Sequence, residues 1–243
     1  MNNEAVNVLQ HFEELRKRLM IIAAVFIAFL ALSFIFVSDI YQWLVRDLDF
    51  KLAVLGPSEI LWVYFMLASV VAIAAAIPVA AHQIWLFVSP ALTGMEKKVA
   101  LSYIPALFFL FITGIAFGYF ILLPLVLNFL MTLSGDMFTA FFTTEKYFQF
   151  VLHLTLPFGF LFELPVVIMF LTSLGILNPY SLQKIRKYAY FVLIVVAILV
   201  TPPDFISDIL VTLPLLLLYE ASVSLSKIIY NRKQKKQAVL QKL

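Results

Sequence analysis

Between Met20 and Val37 the chain runs for 18 residues without a charged side chain. A backbone that faces lipid must satisfy its own hydrogen bonds, so apolar runs of about 20 residues are expected to be membrane-spanning helices. Five further apolar stretches follow: Ile60 to Val88, ending at Ser89-Pro90; Val99 to about Leu133; Tyr147 to Leu174, interrupted by Glu163; Tyr188 to Val200; and Phe205 to Lys227. The third is too long for one upright span and is expected to tilt or to leave the membrane near Pro124. The expected fold is therefore an all-α membrane protein with six transmembrane helices. The last hairpin is short, because thirteen residues at about 1.5 Å each fall well below a hydrocarbon core of about 30 Å.

Composition agrees. Of 243 residues, 63% are hydrophobic and 13% charged, against about a quarter charged in soluble domains. An ordinary water-soluble enzyme, a disordered chain and a disulfide scaffold are excluded, the last because there is no cysteine. The net charge of +3 is too small to suggest nucleic acid. Residues 1–19 carry Glu4, Glu13 and Glu14 and do not read as a signal peptide.

The 17 basic residues orient the spans. Clusters at Arg16-Lys17-Arg18, Lys97-Lys98, Lys184 to Lys187, and Lys227 to Lys242 all fall on the side of the two termini. Only Arg46, Lys51 and Lys146 fall opposite. Positive charge accumulates on the cytoplasmic side, so both termini are expected to be cytoplasmic. Residues 1–230 read as a single polytopic membrane domain, and 231–243 as a basic cytoplasmic tail near anionic lipid. In the first outer loop, Ser58 is expected to cap the second helix, with Glu59 favouring its positive end.

Glu163 is the most informative single residue. An acid within an apolar span costs a few kcal/mol even on lenient insertion scales, so it is expected to face a cavity or a partner. Pro165, two residues on, loosens the helix ladder beside it. Gly114-xxx-Gly118 is a small-residue face, expected to serve internal packing rather than a dimer seam. His11, His82 and His153 are scattered without acid partners and make no metal site. No nucleophile elbow, zinc-protease motif or phosphate loop occurs, so neither an enzyme nor a cofactor is expected. In His11-Phe12-Glu13-Glu14-Leu15-Arg16-Lys17-Arg18, the pairs Glu13–Lys17 and Glu14–Arg18 have the favourable helical order, which supports a helix by itself. Glu96 is a second acid among basic residues on the inner side.

Four segments resemble, in order and spacing, the TatC family of twin-arginine translocase proteins. They are His11-Phe12-Glu13-Glu14-Leu15-Arg16, Pro90-Ala91-Leu92 followed by Glu96, Phe162-Glu163-Leu164-Pro165, and Thr201-Pro202-Pro203-Asp204. The resemblance covers essentially the whole chain and implies a receptor in the prokaryotic plasma membrane. Such proteins bind signal peptides with two adjacent arginines on already folded cargo. They then assemble with one another and with single-span TatA-type and TatB-type subunits, and drive export with the protonmotive force. Carried over by motif, Glu14, Glu96 and Phe87 belong to the signal-peptide site, and Glu163 meets the single-span partners. His11, Leu15, Arg16, Pro90, Pro165, Pro203 and Asp204 complete the motifs. Thr93-Gly94-Met95 departs from the aromatic and charged residues often found there. The rival reading is a proton- or ion-coupled small-solute transporter with Glu163 as its coupling acid, although no pair of related halves is visible.

Overall fold

The computed structural model describes residues 2–46, 48, 51–91, 94–134, 141–201 and 205–240, and within these the side chains outside 2–11, 91, 94–96, 98–100, 133–134 and 235–240. Nine α-helices occur among the described residues: α1 Asn2–Val45, α2 Pro57–Val88, α3 Gly94–Phe117, α4 Leu123–Ser134, α5 Thr144–Leu161, α6 Leu164–Ser173, α7 Pro179–Lys184, α8 Arg186–Val200 and α9 Phe205–Leu240. Five helical stretches are long and apolar enough to cross a membrane: Phe12–Val45, Pro57–Val88, Leu101–Thr132, Thr144–Ser173 and Phe205–Gln234. They coincide with five of the six apolar runs. The remaining run forms α8, whose 15 residues give about 22 Å. The shortness expected of both arms of the last hairpin holds for α8 alone. Helix α9 continues unbroken through the basic residues for 36 residues.

Ser58 does not cap α2. The helix begins two residues earlier than that cap would set, with extended Gly56 as N-cap and Pro57 in the first turn. Proline there has no amide proton to satisfy and is already set in φ for a helix. Glu59 lies in the first turn, where a negative charge suits the helix dipole.

The long third run is one helical path with a single irregularity. A π-helical turn, Gly118–Leu122, joins α3 to α4, and the Leu123 amide donates to the Gly118 carbonyl. Pro124 supplies the reason: it lacks an amide proton and its ring crowds the carbonyl four residues back, so the ladder widens by one residue. The expected departure near Pro124 is thus a bulge within a helix.

The chain divides into two compact units, Met1–Phe108 with Thr143–Glu145, and Phe109–Phe142 with Lys146–Leu243. In the first, α1 and α2 pack antiparallel. Ala68 and Ala72 are fully buried one helical turn apart, with Ala76 a further turn on; small side chains let helix backbones approach closely. Tilted ring pairs Phe34–Phe65, 6.5 Å apart, and Tyr41–Tyr64, 6.1 Å apart, close the same face. The loop after α1 is pinned to the start of α5, where the Thr144 amide donates to the Ala53 carbonyl at 2.8 Å.

In the second unit α3 and α5 meet through glycine, and α6 is bound to α9. The hydroxyls of Thr172 and Ser226, both fully buried, lie 2.7 Å apart. The Lys233 ammonium donates to the Ser173 carbonyl at 2.8 Å. That bond places a cation on the carbonyl end of α6, where helix carbonyls lack partners and the dipole is negative. Gly175, at φ 80°, ends the segment in the left-handed conformation that glycine adopts without strain.

Candidate functional site

Helix α1 brings Glu14 and Arg18 to one face, four residues apart, and they form an ion pair. Arg18 also reaches α2: its Nη1 lies 3.5 Å from the Gln83 carbonyl oxygen and 3.4 Å from Gln83 Oε1. Because the helices run antiparallel, one turn back along α1 from Arg18 is Glu14, and one turn on along α2 from Gln83 is Phe87. Residues four apart share a helix face, so Glu14 and Phe87 lie on the facing sides of the two helices. Phe87 is half-buried and Glu14 exposed.

The connection to α3 is fixed by Trp85, whose indole Nε1 donates to the Lys97 carbonyl at 3.2 Å. His82 stacks on the Trp85 ring with centroids 5.5 Å apart. Between them runs a short 3-10 turn, Ser89–Ala91, that contains exposed Pro90. The first turn of α3 carries Glu96, next to the carbonyl that Trp85 holds. The side chains of Glu96 and His11 lie outside the described residues, as do Pro203 and Asp204 entirely. Leu15 and Arg16 are exposed on α1. Helix α1 thus meets the last turns of α2 at Arg18–Gln83, and α2 in turn meets the first turn of α3 at Trp85–Lys97, so the segments of Glu14 and Glu96 each adjoin the end of α2 that carries Phe87.

Glu163 belongs to the other unit and to a different environment. It sits in the break between α5 and α6, as N-cap of α6 with helical dihedrals and no side-chain cap bond. The Glu163 amide donates to the Phe160 carbonyl at 3.1 Å, three residues back rather than four, and its own carbonyl accepts from Val167 at 3.0 Å. Pro165 has no amide to offer the Leu161 carbonyl, so the ladder lapses at this point. The carboxylate is half-buried, and its Oε1 is closed off from solvent without a hydrogen-bond partner among the described residues. An unsatisfied oxygen of this kind costs free energy until a donor arrives.

One polar cluster escaped the sequence reading. Arg186, at the start of α8, donates from Nη2 to Glu220 Oε2 of α9 at 2.7 Å. The Tyr190 hydroxyl donates to the other Glu220 oxygen, and Tyr190 meets the Tyr219 ring edge-on at 5.8 Å. A cation just before one apolar run and an acid near the close of the next, which a hairpin brings to the same side, were the available signal. Among the described residues no cluster of His, Cys, Asp and Glu suited to a metal ion occurs.

These elements define a polytopic, all-helical membrane protein with polar contacts from the end of α2 to α1 and α3 and an acid set into a broken span. A family model described as Sec-independent protein translocase protein (TatC) matches residues 10–214. The chain is 60% identical over 237 residues to Sec-independent protein translocase protein TatCd of Bacillus subtilis strain 168, across 98% of both chains. To TatCy of the same strain it is 43% identical over 242 residues, covering 98% of this chain and 95% of that one. A crystal structure described as the twin arginine translocase receptor TatC superposes with a TM-score of 0.78 at 33% identity, covering 90% of this chain and 99% of the other. The chain belongs to the TatC family, a non-enzymatic component of the Sec-independent protein translocase. The solute-transporter reading is not favoured.

Proposed function

We propose that the protein is the signal-peptide receptor and core subunit of a twin-arginine translocase. In this reading it exports folded proteins across the prokaryotic plasma membrane at the expense of the protonmotive force. Glu14 and Glu96 receive the two arginines, Phe87 lines the apolar part of the same site, and Glu163 meets single-span TatA-type and TatB-type subunits. Residues 1–230 form one membrane domain of six spans, with α8 as the short fifth, and 231–243 a basic tail. Both termini are cytoplasmic. Family membership supports this reading, and one observation carries it: the last turns of α2, which hold Phe87, touch the Glu14 segment of α1 through Arg18–Gln83 and the Glu96 segment of α3 through Trp85–Lys97. Two adjacent guanidinium forks require carboxylates at fixed positions, and bidentate pairing separates arginine from lysine.

The test is binding of a twin-arginine peptide to the purified protein in nanodiscs. Losing one partner of a desolvated arginine–carboxylate pair costs roughly 2–5 kcal/mol, about 30-fold or more in affinity. Glu14→Ala and Glu96→Ala are each expected to fold normally and bind at least that much more weakly. Replacing the peptide arginines by lysine is expected to weaken binding to the parent protein far more than to either variant. Unchanged binding in both variants would overturn the receptor assignment.

A further inference from the structure

The Glu14 carboxylate already has a guanidinium partner. Arg18 contacts it through Nη2 alone, on Oε1 alone. The pair is not an ordinary solvated one: the Arg18 side chain is only 17% exposed, against 44% for Glu14. The cation is drawn inward against α2 while the carboxylate looks out.

Arg18 is incompletely served in that position. Its contacts with Gln83, at 3.5 and 3.4 Å, lie beyond the usual range for a strong hydrogen bond. Its Nε is buried and has no hydrogen-bond partner among the described residues. The fork is thus used through one prong toward Glu14 and loosely toward Gln83.

We propose that Arg18 is an internal competitor for the signal-peptide arginines, occupying Glu14 at rest and withdrawing onto Gln83 when an incoming guanidinium takes the carboxylate. This rests on the receptor reading above. An arginine that engages Glu14 through two parallel N–H bonds gains more than Arg18 loses, because bidentate pairing is the stronger arrangement. A lysine offers a point charge with no fork. It replaces one single-pronged contact by another and gains little. Arg18 therefore raises the threshold for binding, so that a ligand making only a single-pronged contact barely exceeds the resting pair. Gln83 supplies the retreat: its carbonyl and its side-chain oxygen are two acceptors already within reach of Nη1, so the displaced cation keeps polar partners.

The experiment compares twin-arginine and twin-lysine peptides on the full-length protein in nanodiscs, with thermal unfolding as the folding control. Arg18→Gln is expected to tighten the twin-arginine peptide about two- to fivefold, the scale of a lost competing surface pair. It is expected to tighten the twin-lysine peptide by about the same factor, because both peptides must displace the same resting pair. Arg18→Lys, which keeps the charge without the fork, is expected to move both in the same direction and serves if Arg18→Gln fails to accumulate. Gln83→Leu removes the side-chain half of the retreat, leaving only the carbonyl, and is expected to weaken twin-arginine binding, and adding Arg18→Gln is expected to restore it. Weaker or unchanged binding in both Arg18 variants would overturn the competitor role. So would a Gln83→Leu loss that Arg18→Gln does not relieve, since Gln83 would then touch the peptide itself. Glu14→Gln separates the two readings: if it leaves the parent affinity intact, the receptor assignment fails irrespective of Arg18.

Discussion

Gly114 and Phe158 meet backbone to backbone: a Cβ on Gly114 would lie 2.3 Å from the Phe158 carbonyl oxygen. One turn along, a Cβ on Gly118 would lie 2.8 Å from the Thr155 Cα. From the other side, a Cβ on Gly159 would meet the Phe111 ring at 2.7 Å. Lipid tails are as apolar as leucine, so helices in a membrane gain by close van der Waals approach rather than by hiding apolar surface. The small-residue face expected from the sequence is therefore internal packing, and it seats α5 a short distance before the break at Glu163.

Replacing Gly114 by alanine is expected to force α3 and α5 apart. Overpacking of this kind costs about 1–3 kcal/mol, and here the obstructing atoms are backbone, which cannot rotate away. Gly56 is the control, because its Cβ would meet nothing nearer than Ser58 Oγ at 3.9 Å. Thermal unfolding in detergent should show a clearly lower midpoint for Gly114→Ala and a smaller drop for Gly56→Ala, limited to the poorer N-cap that alanine makes for α2. Equal midpoints would mean that the two helices are not held at this distance.

The Arg186–Glu220–Tyr190 cluster predicts an asymmetry between isosteric and truncating changes. Glu220→Ala strands a guanidinium and a phenol at once, whereas Glu220→Gln keeps one acceptor oxygen for Arg186 and offers the Tyr190 hydroxyl, which can accept as well as donate, an amide N–H in place of the second. The two charged side chains are 42% and 34% exposed, so water and headgroups soften the loss. A cost of about 1–2 kcal/mol is expected for the alanine variant and less for glutamine. A double-mutant cycle with Arg186→Ala, read by thermal unfolding, should return a coupling energy well above its error; additive effects would show the pair to be idle.

Much of this architecture was legible because membranes make the sequence signal coarse. Pro90 and Pro165 stand where helices end or break, since a missing amide is a local fact that no tertiary context can repair. The six apolar runs stand out because charge is expensive in lipid. What the sequence withheld depends on which faces meet. Glu14–Arg18 reads as a helix-supporting pair at that spacing, and only the antiparallel seat of α2 shows Gln83 beside it. Glu220 and Arg186 are 34 residues apart, and the identity of the partner is set by the crossing of α8 and α9. The helical continuation of α9 through Lys227 to Leu240 was hidden because a lysine-rich stretch reads equally as frayed chain. The start of α2 at Pro57 was missed because Ser58 is a good cap in isolation, yet proline in the first turn settles the position.

Orientation is expected to follow the basic residues. The chain has no cysteine, so single cysteines report without background. Lys51, in the loop after α1, and Lys184 and Lys187, where α7 gives way to α8, are exposed, and the charge distribution assigns the first to the side opposite the other two. In intact cells, a membrane-impermeant maleimide is expected to label Lys51→Cys and to reach Lys184→Cys and Lys187→Cys only after the membrane is opened. Labelling of the second pair from outside would invert the orientation.

Glu163 should behave as a contact for partners rather than as a stabiliser. Its Oε1 lacks a hydrogen-bond partner among the described residues, so truncation removes a costly group without orphaning another. Glu163→Ala is therefore expected to insert and accumulate like the parent, with an unfolding midpoint no lower. In the proposed reading, a polar side chain on a neighbouring single-span helix bonds the carboxylate where the α5–α6 ladder lapses. Losing one such bond costs about 1–2 kcal/mol, roughly tenfold in association. Photo-crosslinks from α6 to single-span subunits are expected to fall by about that factor in Glu163→Ala. They should fall less in Glu163→Gln, whose amide both donates and accepts. Full crosslinking together with full export in the alanine variant would show that Glu163 is not the contact; a lowered midpoint in both variants would show it to be a packing residue that finds its donor within the chain.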